Sequence, residues 1–179
     1  MRIVVFGSNK CHYCQMQKES LSKTFEKDDW LYIDLLKDKD AIQLAKDIDI
    51  ENIPSLVILN SSFQELYRKD GILPPDQIYK ILVGGSNFYP VPNNLKEQVQ
   101  NGSLKLIFLS YDPAIEKGDT ISLVTYKGDI LKKATVQKVH KLDLDDFENK
   151  FGAKLKEEYL NVGGRRDLVW IVEFSKSDR

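Results

Sequence analysis

The chain has 179 residues, 42% of them hydrophobic, which suits one large or two small globular domains. Its formal net charge is −1 at pH 7, so no overall basic field favours nucleic acid or an anionic membrane as a partner. No apolar run approaches the roughly 18 residues of a membrane span, and Met1-Arg2 leads into a predicted strand rather than a signal peptide. We therefore expect a cytoplasmic protein that makes no membrane contact.

The first predicted elements are a strand, a loop and a helix that carries both cysteines of the chain. The apolar run Ile3–Phe6 predicts the strand, a short polar loop follows, and Cys11-His12-Tyr13-Cys14 opens a helix that continues to Lys27. Residues i and i+3 lie on one face of a helix, so two thiols at this spacing can close a disulfide and open it again with little backbone movement. This spacing indicates a reversible redox switch.

The positions of the two cysteines predict different roles. Cys11 lies at the N-terminal edge of the helix, where unpaired N–H groups and the helix dipole favour the thiolate, so we expect it to be the nucleophile. Cys14, one turn further on, is expected to be buried and to act as the resolving thiol. A structural zinc site needs four ligands, and only His12 and His140 remain, so we expect no metal. Two unreactive core cysteines are the other alternative, but Cys11 follows a polar loop.

The elements up to residue 83 predict an α/β domain with a mixed sheet. Short apolar runs predict strands, amphipathic spacing predicts helices, and Asn60-Ser61-Ser62 predicts a hairpin turn. The order is β-α-β-α-β-β-α, with these further elements after the first helix: strands 30–33, 55–59 and 63–68, and helices 38–48 and 75–82. Parallel strands crossed by helices and followed by a hairpin make a mixed sheet that is covered on both faces.

The composition changes after Val83, and a second region begins. Two glycines and two prolines between residues 84 and 93 predict a linker there, which divides the chain into domains 1–83 and 94–179. The second region is expected to contain a short helix at 95–99, strands at 104–111, 120–126, 130–139 and 168–174, and helical segments between 143 and 160 that break at Gly152. We expect a small α+β domain with a strongly curled, partly barrel-like sheet.

Residues 1 to about 83 resemble the thioredoxin/glutaredoxin superfamily. The resemblance is carried by Cys11-His12-Tyr13-Cys14 at the first strand–helix junction and by Asn52-Ile53-Pro54-Ser55 before the third strand. It implies a thioredoxin-like fold and disulfide oxidoreductase activity. It also implies that Pro54 is cis and shapes a substrate groove and that Ile53 offers main-chain hydrogen bonds to an extended substrate. Tyr13 is expected to line this groove, and the alternative is an exposed aromatic side chain without a partner.

Two departures bear on the branch of this superfamily. Thioredoxins carry a Trp before the first cysteine and a buried acid six positions ahead of it, where this chain has Lys10 and Val5. This favours the glutaredoxin side. Glutaredoxins carry a Gly-Gly pair that helps to hold glutathione, and the segment 61–71 has none. We therefore expect no bound cofactor and an external reductant, either a thioredoxin-reductase-type donor or glutathione.

Two polar neighbours are candidates for tuning the pKa of Cys11. A protonated His12 would stabilise the Cys11 thiolate and so the reduced form, which makes the protein more oxidising. The alternative is that His12 is a polar spacer that points into water. Lys10 could also favour the thiolate or steer acidic partners, although a solvated loop lysine is the simpler interpretation.

The second region resembles PUA-like domains of the ASCH type. Lys117-Gly118-Asp119 before a hairpin, Ala134-Thr135-Val136 and a final Trp-containing strand carry the resemblance, which implies RNA as a possible partner. The loop 163–166 could then contact phosphate, with Tyr111 or Tyr126 stacking on bases. Against this, residues 84–179 hold 15 basic and 14 acidic residues, and a solvated turn is the simpler interpretation of the loop. His140 is expected to be a surface residue.

Two hypotheses follow for the whole chain. The first is a thiol-disulfide oxidoreductase that uses Cys11 and Cys14 to reduce protein or small-molecule disulfides and is itself reduced by a reductase or a small thiol. The second is a binding module in which the redox state of the two cysteines gates a site for RNA or a protein partner. A disulfide-reduction assay separates them, because only the first hypothesis requires turnover.

Overall fold

The computed structural model describes residues 2–37, 39–84 and 87–176. Residue contacts divide the chain into two compact units, Met1–Leu73 and Pro74–Arg179. The expected domain boundary after Val83 differs from this division, because the helix that ends at Val83 groups with the second unit. Each unit has a sheet of its own.

The first unit alternates strands and helices around a four-stranded mixed sheet. Its elements are β1 (Arg2–Gly7), α1 (His12–Thr24), β2 (Trp30–Asp34), α2 (Lys39–Asp47), β3 (Ser55–Leu59) and β4 (Glu65–Asp70). The strand order is β2-β1-β3-β4. Strand β1 runs parallel to β2 and antiparallel to β3, and β3 is antiparallel to β4. The element order expected from the sequence is confirmed up to β4.

The central position of β1 explains its uninterrupted apolar sequence. Val4 and Phe6 pack with Val57 and Ala45 in one cluster. Ile3 and Val5 alternate with them and are also buried, at 1% and 0% exposure, because a central strand with both faces covered has no polar side.

A buried side chain of α1 fixes the segment that follows β4. The Gln17 side chain is fully buried and makes two hydrogen bonds to the backbone of Leu73. Its Nε2 donates to the Leu73 carbonyl at 3.0 Å, and its Oε1 accepts from the Leu73 N–H at 2.7 Å. Both polar atoms of the amide are thereby paired, as burial requires.

The second unit is built on a five-stranded mixed sheet. Its elements are α3 (Pro75–Val83), β5 (Phe88–Pro90), a 3₁₀ turn (Asn93–Leu95), α4 (Lys96–Asn101), β6 (Leu106–Leu109), β7 (Thr120–Val124), β8 (Ile130–Asp143), α5 (Leu144–Phe151), α6 (Ala153–Asn161) and β9 (Leu168–Lys176). The strand order is β5-β7-β8-β9-β6, in which β5 and β7 are parallel and the other neighbouring pairs antiparallel.

Two expectations for this region differ from the structure. Part of the expected linker 84–93 is β5, which pairs with β7, and Tyr89 and Val91 are each 1% exposed. Pro90 lies in this edge strand, where a residue without an N–H is tolerated. The sheet has β5 and β6 at its two ends, and no pairing among the described residues closes it, so the partly barrel-like form is not confirmed.

Aromatic side chains fill the core of the second unit. The rings of Phe108, Phe147 and Tyr159 meet edge to face, with centroids 5.5 to 6.2 Å apart. Such pairs add about 0.5–1.5 kcal/mol each beyond the burial of their area. The N-terminus of α3 is held in this unit by Asp76, whose carboxylate accepts hydrogen bonds from the Ser110 N–H at 2.6 Å and the Ser110 hydroxyl at 2.5 Å.

Candidate active site

The two cysteines lie where β1 ends and α1 begins. Cys11 is the N-cap residue of α1, with extended backbone angles of φ −92° and ψ 118°. Its Sγ accepts a hydrogen bond from the Cys14 N–H at 3.2 Å, and its own N–H donates to the Ser8 carbonyl at 3.0 Å. The sulfur of Cys11 therefore occupies the position at which a helix N-terminus offers unpaired N–H groups and its positive dipole end.

Cys11 and Cys14 are joined in a disulfide, and their Cα atoms lie 5.2 Å apart. The two sulfurs differ in their surroundings. Cys14 has 0% exposure, whereas Cys11 is partly exposed. An attacking group must be reachable and a resolving group need only reach its neighbour, so the asymmetry fits the roles expected for the two residues.

The loop before Cys11 is tied to the neighbouring strand. Asn9 Nδ2 donates to Asp34 Oδ2 at 2.5 Å, and Gln15 Nε2 donates to Asn9 Oδ1 at 3.2 Å. The Ser8 hydroxyl accepts from the Lys10 N–H at 3.1 Å. This chain of hydrogen bonds connects the end of β2, the loop and the first turn of α1, and it holds Cys11 in its capping position.

The two side chains between the cysteines face outward. His12 is exposed, Tyr13 has 62% exposure, and the two ring centroids are 5.8 Å apart. Lys10 is exposed as well. The first turn of α1 has no acidic residue, so no carboxylate there opposes a thiolate at Cys11. The expected influence of Lys10 and His12 on the Cys11 pKa stays a prediction.

The Ile53–Pro54 peptide bond is cis. Sheet register places it near the motif: Ser55, the first residue of β3, pairs with Phe6, the penultimate residue of β1. The Pro54 carbonyl accepts a hydrogen bond from the Gly71 N–H at 2.7 Å, so that carbonyl is already engaged within the unit. Ile53 is 38% exposed and Pro54 is buried. Their role in substrate binding stays a prediction.

Gly7 lies directly under the motif and leaves no room for a side chain. A Cβ at this position would be 2.7 Å from Tyr32 Oη and 3.1 Å from Cys14 Cβ. Tyr32 is therefore a neighbour of Cys14 that the sequence analysis missed. The sequence alone gives only a weak indication of this contact. Tyr32 pairs with Val5 in the parallel register, and this pairing puts the two side chains on the same face of the sheet.

Most of the residues considered for RNA contact in the second unit are buried or bonded to other residues of the protein. Tyr126 is 9% exposed, and the hydroxyl of Tyr111 is buried. In the loop 163–166, Arg165 forms a two-pronged ion pair with Asp167, with distances of 2.9 and 2.5 Å. A Cβ on Gly164 would lie 2.5 Å from the Tyr159 ring, so this glycine permits close packing of the loop on the ring. RNA binding stays a prediction.

Burial and the hydrogen bonds of Asp76 have opposite effects on its pKa. Burial raises the pKa of Asp76, and hydrogen bonds from Ser110 and Gln77 oppose this rise. The pocket beside it, lined partly by Phe108, Tyr126 and Tyr159, has a volume of about 10 Å³. That space suits a water molecule rather than a ligand.

His140 does not lie free on the surface as expected. Its side chain is 10% exposed, and its Nε2 lies 2.5 Å from Glu173 Oε1. Its Nδ1 lies 3.4 Å from Lys150 Nζ. The imidazole joins β8 to β9 and α5, because a ring with two nitrogen atoms can bond on both sides.

The described part of the chain has neither a cluster of metal ligands nor a helix that could span a membrane. Within residues 2–37, 39–84 and 87–176, no group of three or more His, Cys, Asp or Glu side chains is placed to hold a metal ion. Within the same ranges, no helix combines the length and the apolar character that crossing a bilayer requires.

Comparisons with known proteins give only distant likenesses. No family model matches the sequence, and no curated protein matches it. The ASCH protein of Zymomonas mobilis is 9% identical, with a TM-score of 0.41 over 50% of this chain and 66% of that chain. A thioredoxin of Malassezia sympodialis is 21% identical, with a TM-score of 0.35 over 45% of this chain and 71% of that chain. Similarities of this size carry no argument about fold or function.

Proposed function

We propose that the protein is a thiol-disulfide oxidoreductase of glutaredoxin-like type that uses Cys11 and Cys14 as its dithiol. The observation that supports this most is the asymmetric pair at the start of α1. Cys11 caps the helix and is partly exposed, while its disulfide partner Cys14 is fully buried. A helix N-terminus lowers the pKa of a cysteine, and a low pKa supplies the attacking thiolate at neutral pH.

The reaction proceeds in two exchange steps. The Cys11 thiolate attacks one sulfur of a substrate disulfide, so that a mixed disulfide forms and the other substrate sulfur leaves as a thiolate. The Cys14 thiol then loses its proton to solvent and attacks Cys11 Sγ. The Cys11–Cys14 disulfide forms, and the second substrate thiolate leaves. The substrate gains two electrons, and an external thiol or dithiol reductant returns them to the protein.

Substrate contacts are assigned to residues around Cys11. Tyr13 is exposed beside the motif, and Ile53 is partly exposed ahead of the cis proline. An extended peptide that bears a disulfide would pack against Tyr13 and form main-chain hydrogen bonds with Ile53. We place the activity in the cytoplasm, where reductants keep thiols reduced and a lone cysteine pair is more often catalytic than structural.

The proposal is tested with a disulfide-reduction assay that uses a supplied reductant and a disulfide-linked peptide. Cys11→Ser is expected to abolish turnover. Cys14→Ser is expected to accumulate a mixed disulfide between Cys11 and the peptide, visible as a mass increase that dithiothreitol removes. Ser22→Ala, a change at an exposed position of the same helix that spares both sulfurs, serves as the matched control and is expected to retain turnover.

Two results would contradict the proposal. One is equal turnover in Cys11→Ser and in the wild-type protein. The other is a change in affinity for a protein or RNA partner on reduction of the disulfide, without any turnover, which would favour the redox-gated binding module instead.

A further inference from the structure

The hydroxyl of Tyr32 lies near the Cβ of Cys14, the buried cysteine of the pair. A Cβ placed on Gly7 would lie 2.7 Å from Tyr32 Oη and 3.1 Å from Cys14 Cβ. Tyr32 Oη and Cys14 Cβ are therefore at most 5.8 Å apart, the sum of these distances. Sγ is bonded directly to that Cβ, so a rotation about the Cα–Cβ bond of Cys14 changes the distance between sulfur and hydroxyl.

The same hydroxyl is buried and has no hydrogen-bond partner among the described residues in the disulfide form. Leaving a buried hydroxyl unpaired costs about 1–3 kcal/mol, and such groups are rare in folded proteins and call for an explanation. A disulfide sulfur is a poor acceptor, whereas a thiolate is a strong one because it is charged. Reduction of the Cys11–Cys14 bond therefore creates an acceptor for which the disulfide form has no equivalent.

We propose that Tyr32 is a positioning residue for the resolving step: when the disulfide is opened, its hydroxyl donates a hydrogen bond to the sulfur of Cys14 and stabilises the thiolate there. The inference rests on the proposed oxidoreductase function and assigns to it a residue outside the Cys-x-x-Cys motif. Cys14 needs such help, because its complete burial by itself disfavours the charged form.

The surroundings of Tyr32 keep the hydroxyl a donor. Burial, and secondarily the charge of Asp34, raises the pKa of Tyr32, so the phenol keeps its proton at neutral pH. On α1, Lys18 Nζ lies 4.9 Å from the centroid of the Tyr32 ring, and a cation over a phenol ring makes its O–H a better donor. The other charged groups beside the cysteine pair are Lys10 and, when protonated, His12, both of which are exposed.

The first test is a titration of Cys14 in a Cys11→Ser background, followed by the ultraviolet absorbance of the thiolate. Tyr32→Phe keeps the ring and its contact with Lys18 but removes the donor. We expect about a tenfold smaller thiolate fraction at neutral pH, the size of effect that loss of a hydrogen bond to a charged group produces. Tyr67→Phe, which removes a tyrosine hydroxyl from strand β4 of the same unit, is the matched control and should leave the titration unchanged.

The second test follows the resolving step itself. Reduced protein is mixed rapidly with one equivalent of the disulfide dithiobis(nitrobenzoate). Cys11 attacks it, one thionitrobenzoate leaves, and the other stays on Cys11 as a mixed disulfide. Attack by Cys14 then releases this second coloured thiolate. Tyr32→Phe is expected to slow this release about tenfold below the Cys14 pKa and to leave it unchanged at high pH, where the thiolate forms without help. Gly7→Ala, which displaces the hydroxyl but retains it, is expected to slow the release as well.

An unchanged Cys14 titration in Tyr32→Phe overturns the inference, and so does a slower release that is equal at every pH, since that pattern would reflect packing alone. Failure of this inference and failure of the proposed function are distinguishable. If Cys11 fails to reduce any disulfide, the oxidoreductase proposal fails, whereas the Cys14 titration still reports whether Tyr32 donates to the sulfur.

Discussion

Tyr111 and Tyr159 differ in what their hydroxyls bind, although both belong to the second unit. Tyr159 Oη donates to the Leu168 carbonyl at 3.0 Å and accepts from the Arg165 N–H at 2.9 Å. Tyr111 Oη is buried and has no hydrogen-bond partner in the part of the chain that the structure describes. The cost of deleting a buried hydroxyl depends on whether a partner loses its bond, so the two tyrosines should respond differently to the same substitution.

We therefore predict opposite outcomes for the two phenylalanine variants. Tyr159→Phe should lower the free energy of unfolding by about 1–3 kcal/mol, because two backbone groups lose a partner. Tyr111→Phe should leave it unchanged or raise it by up to about 1 kcal/mol. Urea unfolding in a Trp30→Phe background measures both, because Trp170 is then the only tryptophan of the chain. A larger loss for Tyr111→Phe than for Tyr159→Phe would contradict the prediction.

At the candidate site, the sequence predicted the two cysteines but not their neighbour Tyr32. The spacing of Cys11 and Cys14 and their place behind a strand were enough to predict a dithiol at a helix N-terminus. Tyr32 could not be found this way, because its proximity to Cys14 depends on the pairing of β2 with β1 and on the missing side chain of Gly7. Contacts between residues distant in sequence are set by register, which local patterns do not specify.

At the scale of elements, α5 depends on one capping residue. The Asp143 carboxylate accepts hydrogen bonds from the N–H groups of Asp145 at 3.0 Å and Asp146 at 2.8 Å. Asp143→Ala is expected to reduce the free energy of unfolding by about 1 kcal/mol, the usual cost of losing an N-cap. Asp143→Ser retains an acceptor and is expected to recover most of this loss in the same urea titration. Equal losses in both variants would assign the effect to charge instead of capping.

The strands and helices were predictable to different degrees. Strands β1 and β3 have continuous apolar sequences because they are central, and their bounds followed from the sequence almost to the residue. Strand β5 was taken for a linker, since it is short and contains Pro90, and only its pairing with β7 makes it a strand. Strand β8 runs to Asp143, past the expected end at Val139, because β9 pairs with it along this whole stretch.

At the scale of the whole chain, Asp76 should make stability depend on pH. Its pKa is raised in the folded state by burial, so folding favours the protonated form. The stabilisation is complete below the unfolded pKa of about 3.9 and is lost as the pH rises through the folded pKa. We predict that the free energy of unfolding of the wild-type protein falls relative to that of Asp76→Asn as the pH rises above about 4.

The free energies of unfolding are measured by urea titration of the full chain at several pH values. In the Trp30→Phe background, the fluorescence of Trp170 reports on the second unit. Exposed Glu157→Gln is the matched control and should follow the wild-type protein at every pH. A difference between wild-type protein and Asp76→Asn that stays constant with pH would mean that the hydrogen bonds from Ser110 and Gln77 cancel the effect of burial.

The arrangement of the whole chain was only partly predictable. A change in composition after Val83 indicated two regions, and the structure has two compact units. It groups α3 with the second unit, because the Asp76 carboxylate and the Gln77 amide both bond to Ser110. Nothing local in the sequence of α3 indicates this partner, which lies more than thirty residues further along the chain.

The closeness of the two sulfurs also bears on oxidative damage. Hydrogen peroxide converts a reactive thiolate to a sulfenic acid, and further oxidation to a sulfinic acid is generally irreversible. A sulfenic acid at Cys11 would instead condense with the Cys14 thiol, releasing water and forming the Cys11–Cys14 disulfide. The Cα atoms of the two cysteines lie 5.2 Å apart, close enough for this condensation, so Cys14 would protect an oxidised Cys11 from irreversible damage.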